Sequence, residues 1–594
     1  MLNWRLYRAA FVPFLLALLI AAFSLAPRAL PLTSTLAPDA FSGSSALSET
    51  NSLAAEFPNR RAGSPGDEAL AARISEILKG LGGTAGGGFS VHTHRFQART
   101  IDGERTLTTV IAERPGSTNA SPLVILAHRD ALAPGSRAEM SGTAALLELA
   151  QVFATRETRR TIVLVSTSGG SGGDAGAADF AAHFSGPLDA AIVLGDLAGT
   201  DARKPFVVPF SDGYGSAPIQ LQRTLSEAIS QETGSDPGAP STIGQFAHLA
   251  FPLAGGEQGP LNASGLPAVL VQASGERGPA PSEAVSGERL QGLGRAVLSS
   301  VDALDSAPDL PHAQQTGVLI ERQVLPAWAV RLLVAALMLG PLLVAVDAFA
   351  RLRRRREPVG RWTVWTLACS LPFLLCGLFA YLLGLIGAVP ATPVLPTAAP
   401  LDGAAARAVA VVALGLGLAW LVWPALVRRF GFSVRPSSEA AGLSMLLVLL
   451  VICVVVWAVD PFSALLLLPA LHLFLVIVSP ELRPRRLGAL ALVALALLPL
   501  LLLVSFYAHQ LGFGPFEVAW TGVLILAGGH VGVVGALVWS LALGCLVAGA
   551  ILALAGNAPL PGLGADFGSE ITIRGPRSYA GPGSLGGTES ALRR

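Results

Sequence analysis

The sequence predicts an α/β fold with a mostly parallel sheet and helices on both faces, fused to an all-α multi-span membrane domain. Three observations carry that prediction. The 594 residues are 52% hydrophobic and only 14% charged, too apolar for a purely soluble protein. Between Phe57 and Asp305 short, nearly continuous apolar runs alternate with helical patterns, as expected of strands buried on both faces of a parallel sheet. Beyond Arg322 long apolar runs follow one another, each of a length that crosses a bilayer.

Taken in order, Arg5 and Arg8 precede an apolar stretch up to Ala26. Residues 1–26 read as a retained membrane anchor, with a cleaved signal peptide as the other reading. Residues 27–56 are rich in Ser, Ala, Pro and Thr and read as a linker. The globular domain, 57–306, offers helices near 67–81, from 141, 175–184, 217–232 and 287–305. Between them fall strands near 106–112, 122–127, 161–166, 190–194 and 267–272. In the membrane domain, 325–555, spans are expected at 328–350, 362–389, 405–427, 440–459, 462–478 and 487–509. The stretch 518–555 is either one long span with a short helix or a tight pair broken at AGGHVG. Residues 556–594, rich in Gly, Pro and Ser, read as a disordered tail.

Charge gives the orientation. Arg5 and Arg8, the RLRRRR run at 351–356, Arg428 and Arg429, and RPRR at 483–486 all fall on one side by alternation. By the positive-inside rule that side is the cytoplasm, so the N-terminus is cytoplasmic and residues 27–322 lie outside it. Asp347, His472 and His530 are the ionisable residues within spans, and Asp347 is placed to reach Arg351 one turn on. A net charge of +1 gives no footprint for nucleic acid. The four cysteines, Cys369, Cys376, Cys453 and Cys545, all lie in the apolar half, so the polar domain has neither a disulfide framework nor a CxxC metal site.

Chemistry concentrates in SPLVILAHRDALAPGSRAEMSGTAALLEL, residues 121–149. It reads as a buried strand, a polar loop opening on His128 and Asp130, and an apolar helix entered at Ser141-Gly142. Ligands of open α/β sheets bind at the carboxyl ends of strands. A His two residues before an Asp can ligate a metal while a carboxylate orients its ring, although the same pair could merely cap the next helix. His92, His94, His183 and His248 have no ligand-like spacing and read as surface or packing residues. Ser166, Ser168 and Ser171 lack a GxSxG elbow. Asn119 and Asn262 each open an Asn-Ala-Ser triplet of the glycosylation type.

Several stretches resemble the di-zinc aminopeptidase family, which includes bacterial leucyl aminopeptidases, glutamate carboxypeptidases and glutaminyl cyclases. FPNRRAGSPGDEALAARISEILKGLG looks like its opening helix, and AHRDA followed by SGTAALLELA is similar to its first metal motif. AAIVLGDLAG resembles the strand that ends in a ligand Asp, and GEQGPLNASGLPAVLV resembles a later SDHxPFxxxGIPA segment. The resemblance implies a zinc-aminopeptidase-like fold, metal-ligand roles for His128 and Asp196, and a role beside the metal for Asp130. Membrane-anchored endoplasmic-reticulum metallopeptidases of that family resemble the whole layout.

The departures fall on the chemistry. Where the family has a metal-bridging Asp this chain has Ala138, with Glu139 beside it; where it has a Glu-Glu pair, Gly170 and Ser171 stand. No His occurs near 276–278, and the SDH segment reads Gly256-Glu257-Gln258. A catalytic zinc needs three protein ligands and an open position, and hydrolysis needs a base that Gly170 and Ser171 cannot supply. Asp174 is expected to point into the following helix. The expectation is therefore a pseudopeptidase that binds a peptide or protein partner or acts as a scaffold in the lipid bilayer, with zinc absent or substoichiometric and no nucleic-acid partner. The alternative is a one-metal hydrolase on His128, Asp196 and either Glu139, as a third ligand after a loop shift, or Glu257.

Overall fold

The computed structural model describes residues 3–81, 88–238, 240–310, 314–432, 439–479, 482 and 484–555. The tail 556–594, expected to be disordered, lies outside them, as does part of the basic run at 483–486. Strands in chain order are β1 (Ala26–Pro27), β2 (Ser90–Thr100), β3 (Gly103–Arg114), β4 (Leu123–His128), β5 (Ile162–Thr167), β6 (Ala190–Leu194), β7 (Phe206–Val208), β8 (Ala268–Gln272), β9 (Val318–Ile320) and β10 (Gln323–Leu325).

Seven of these form one sheet in the order β2-β3-β5-β4-β6-β8-β7. The centre, β5-β4-β6-β8, is parallel, and β2, β3 and β7 add antiparallel edges. Side chains alternate between faces along each strand. Ile125, Leu164, Ile192 and Val269 bury against one core, while Val124, Val163, Val193 and Leu270 bury against another. Both faces are therefore covered, as the continuous apolar runs require. Register aligns His128 with Thr167 at the carboxyl edge, and β6 ends just before Asp196 on the same edge.

Three differences from the sequence expectation have clear causes. The stretch 27–56 is not a plain linker: it carries the helix Gly43–Glu56, capped by Ser42, with Ala46, Thr50, Leu53 and Ala54 buried along one stripe. Few of those residues are strongly apolar, so the stripe is faint in sequence. Phe41 just before it is fully buried against Gly294, where a Cβ would lie 2.1 Å from its ring. β2 carries mostly exposed polar residues, because it pairs only with β3 at the edge, so it showed no apolar run. The helix expected from Ser141 begins earlier, at Arg137, which places Ser141 and Gly142 inside it. Gly142 sits against the end of β6, where a Cβ would come within 2.4 Å of the Gly195 carbonyl oxygen.

Among the described residues eight helices are long and apolar enough to cross a membrane: Trp4–Phe23, Ala327–Arg354, Val359–Leu385, Gly403–Arg429, Glu439–Val459, Pro461–Val478, Arg486–Gln510 and Gly532–Ala555. The helix Pro515–Ala527, too short for that length, precedes the last of them, so the 518–555 stretch is one long helix after a short one. Asp347 does pair with Arg351, and His472 meets Tyr7 of the first helix at 2.8 Å. A small sheet, β1-β10-β9, joins the end of that first helix to the entrance of the second.

Beneath the carboxyl edge Arg129 is fully buried, with Nε 2.8 Å from Asp67 Oδ1, itself fully buried. Its other nitrogens donate to the carbonyls of Ser166 (3.1 Å) and Thr108 (2.7 Å). Asp67→Asn leaves a buried guanidinium without its counter-charge and should destabilise the domain by about 3–5 kcal/mol. Tryptophan fluorescence would miss the change, because no tryptophan lies within 57–306. The urea dependence of proteolysis of this domain in the detergent-solubilised chain measures it, and Asp67→Leu with Arg129→Met should recover most of the loss.

Candidate active site

The carboxyl edge gathers the sequence candidates around a cavity of about 70 Å³, lined by His128, Glu139, Ser171, Asp174, Glu257 and Arg277 among others. His128 ends β4, and its ring packs over Gly170: a Cβ there would lie 2.4 Å from the His128 Cβ and 2.6 Å from its Cγ. Its Nδ1 stands 3.6 Å from Glu257 Oε2, and Glu257 Oε1 accepts from the Thr167 hydroxyl at 2.5 Å. Burial pulls the imidazole pKa down, but the hydrogen bond and charge of Glu257, with Asp130 and Glu139 adding to them, raise it to about 9.

Asp130 organises the loop that carries Gly170 and Ser171. It accepts from the backbone N–H groups of Gly169 (2.8 Å), Gly170 (3.0 Å) and Ser171 (3.2 Å), and from the Ser171 hydroxyl. Asp196 is equally engaged. Its Oδ1 accepts from Ser141 Oγ (3.1 Å) and from the N–H groups of Ala198 and Gly199 (2.8 Å each), and its Oδ2 meets the Ser274 hydroxyl. That hydroxyl also lies 3.0 Å from Glu283 Oε1, so one proton stands between two carboxyl groups. Burial raises the Asp196 pKa, against the pull of these donors.

Glu139 lies in the first turn of the helix Arg137–Ala154, and its buried Oε2 has no hydrogen-bond partner. Burial lifts its pKa to about 7, with His128 and Arg60 opposing and Asp130 and Asp196 adding. Asp174, expected to point into the next helix, instead lines the cavity from a left-handed backbone (φ 47°), with Oδ1 unpartnered. A turn through Gly169 and Gly173, both at positive φ, swings it there. Burial, with Glu257 and Asp212 nearby, holds its pKa well above the usual carboxylate range.

No three of His128, Glu139, Asp196 and Glu257 bring one ligand atom each within 4.8 Å of one another; among the described residues only His94, Asp179 and His183 do so. As placed, the carboxyl-edge residues fit a network of carboxyl groups, hydroxyls and an imidazolium, and not a zinc-ligand set. Arg277 stands in the stretch where the resemblance put a final His, and it leaves the cavity to pair with Glu517 at 2.6 Å and to sit 5.1 Å over the Phe513 ring.

What the sequence did not reveal is the cover. Leu395, Pro396, Thr397 and Ala398, from the connection between the helices Leu371–Leu385 and Gly403–Arg429, close one side of the cavity. The Val394 N–H donates to the Gly173 carbonyl at 3.2 Å, and Gly173 (φ 109°) packs so closely that a Cβ would lie 2.5 Å from Thr392. Nothing in the motif-poor stretch ATPVLPTAAP signals that contact.

The His128–Glu257 pair gives a pH dependence with a definite sign. A folded-state pKa near 9, above the unfolded value near 6.5, stabilises the domain fully below about pH 6.5 and progressively less as pH rises through 9. Urea titrations from pH 6 to 10 should show a loss of about 3 kcal/mol in the wild type. In Glu257→Gln that loss should shrink, because burial, which lowers the His128 pKa, is then opposed only by the more weakly acting Asp130 and Glu139.

Residues 109–248 match the model of Peptidase family M28, a span that runs from within β3 to the helix Thr242–Ala250 and takes in His128, Glu139, Gly170 and Asp196. No curated protein matches the chain. Among solved structures it is similar to an aminopeptidase from Aneurinibacillus sp. strain AM-1, at 15% identity over 46% of this chain and 97% of that one, with a TM-score of 0.37. It is also similar to a zinc aminopeptidase from Bacillus subtilis, at 12% identity over 44% and 94% with a TM-score of 0.35. A glutaminyl cyclase from Porphyromonas gingivalis matches at 18% identity over 44% and 98%, with a TM-score of 0.34. Within the α/β domain, residues 109–248 are thus similar to Peptidase family M28.

Proposed function

We propose that this domain is a pseudopeptidase: a peptidase-family domain that binds a peptide or protein partner, or serves as a scaffold, without turnover. The observation that carries the proposal is the packing of the His128 ring into the space above Gly170. A glutamate base at 170 would need that space, so the histidine and a base cannot share the site in this arrangement. The engaged oxygens of Asp196 and the absence of a carboxylate at Ala138 support the same conclusion. On this proposal zinc is absent from the carboxyl edge, and His128 serves as a charged partner for Glu257.

The eight apolar helices support a multi-pass protein embedded in the lipid bilayer, and the basic clusters support a cytoplasmic N-terminus with residues 27–322 on the other side. The Leu395–Ala398 cover closes one side of the cavity, so an extended partner would dock on the surrounding surface or move that cover. The second reading, a one-metal hydrolase, draws on the unpartnered buried oxygens of Glu139 and Glu257 that face the cavity.

The purified full chain, supplied with zinc, should hydrolyse a panel of aminoacyl arylamides no faster than His128→Ala, and both should hold the same amount of zinc by elemental analysis. Turnover in the wild type that disappears in His128→Ala, together with one zinc lost on the same substitution, would overturn the proposal and establish the one-metal hydrolase.

A further inference from the structure

Away from the carboxyl edge, we infer a second, independent site: His94, Asp179 and His183 form a binding site for a zinc-class divalent cation on the outer edge of the domain. His94 lies on edge strand β2; Asp179 and His183 lie one turn apart on the helix Ala175–His183, and therefore on one face of it. Sequence spacing hid the set, because the third member comes from a strand more than eighty residues away. Folding brings one ligand atom from each within 4.8 Å of the others. Asp179 Oδ2 is 3.2 Å from His94 Nε2, and its Oδ1 is 3.2 Å from His183 Nδ1.

Three features favour a metal over a surface ion pair. The His94 Nε2 atom is buried and faces Asp179 Oδ2 at 3.2 Å without a well-formed hydrogen bond, so the contact is not saturated. The Asp179 side chain is only 13% exposed, and among the described residues its recorded ion-pair partners are two imidazoles, with no lysine or arginine. Two imidazoles and a carboxylate are a donor set suited to zinc, and to join it His183 gives up only the 2.9 Å contact of its Nδ1 with the Asp179 carbonyl oxygen of its own helix. The His183 ring, 64% exposed, is free to turn its nitrogen onto the ion. An open groove beside Asp179, lined by Phe96, Ala178, Thr392 and Pro393, leaves a coordination position for water or a ligand. The ion would bolt β2, which pairs with only one neighbouring strand, to the helix that follows Asp174.

The test uses the full chain in detergent, stripped with a chelator and dialysed to equilibrium against buffered free zinc, with bound metal read by elemental analysis. Wild type and His128→Ala should each take up about one zinc per chain, while His94→Ala, Asp179→Asn and His183→Ala should weaken uptake by about 100-fold or more. His183 is exposed and Asp179→Asn keeps the side-chain shape, so a folding defect cannot account for loss in both. In the wild type zinc should also protect β2 from proteolysis, and in His183→Ala it should not. No uptake by the wild type, or uptake by His94→Ala and His183→Ala equal to the wild type, overturns the inference. Loss in His128→Ala alone overturns it too and, unlike those outcomes, also overturns the pseudopeptidase reading.

Discussion

The buried pair of Arg129 and Asp67 is the constraint on which the carboxyl edge depends. Arg129 sits between His128 and Asp130, and its guanidinium holds Asp67, the Ser166 carbonyl and the Thr108 carbonyl together. Asp67 in turn accepts from Ser168 Oγ (2.6 Å) and the Gly63 N–H (2.9 Å). One ion pair thus ties the opening helix, β3 and the ends of β4 and β5. Desolvating both charges costs several kcal/mol each, so the pair persists only because its remaining hydrogen-bonding capacity is also met. Arg60 reinforces it by donating to the Arg129 carbonyl at 3.0 Å and the Ser136 carbonyl at 2.5 Å.

On that rigid base the residues of the edge have found partners within the chain. Glu257 takes His128, Ser171 and three N–H groups take Asp130, and Ser141, Ser274 and two N–H groups take Asp196. Buried carboxylates are costly when unpaired, so each needs donors close by. Serines and glycines do this here at low volume. Glu139 and Asp174 remain only partly satisfied, and their raised pKa values record the cost of that burial.

Legibility in the sequence followed hydrophobic contrast. β4, β5, β6 and β8 are nearly all apolar and were placed within a residue or two, as were most long apolar helices. β2 and the helix Gly43–Glu56 are tied down by edge pairing and by a stripe of small side chains, which leave little periodic signal. His128 and Asp196 could be placed at the carboxyl edge because the first ends an apolar strand and the second follows one. Asp174 was misplaced because a left-handed backbone turned it, and the Leu395–Ala398 cover was invisible because it comes from another part of the chain. His94 and His183 were passed over for the same reason: spacing along the chain says nothing about neighbours across the sheet edge.

The pairing of Ala26 with Val324 brings the entry and exit of a nearly 300-residue insertion to adjacent positions. The helix before it and the helix after it pack together as direct neighbours, as two helices joined by a short connection would. An insertion whose ends meet can be gained or lost in one genetic step without re-routing the helices around it. The chain thus enters and leaves the α/β domain at a single point of the helical assembly, and a change within the domain need not disturb the packing of the helices on either side.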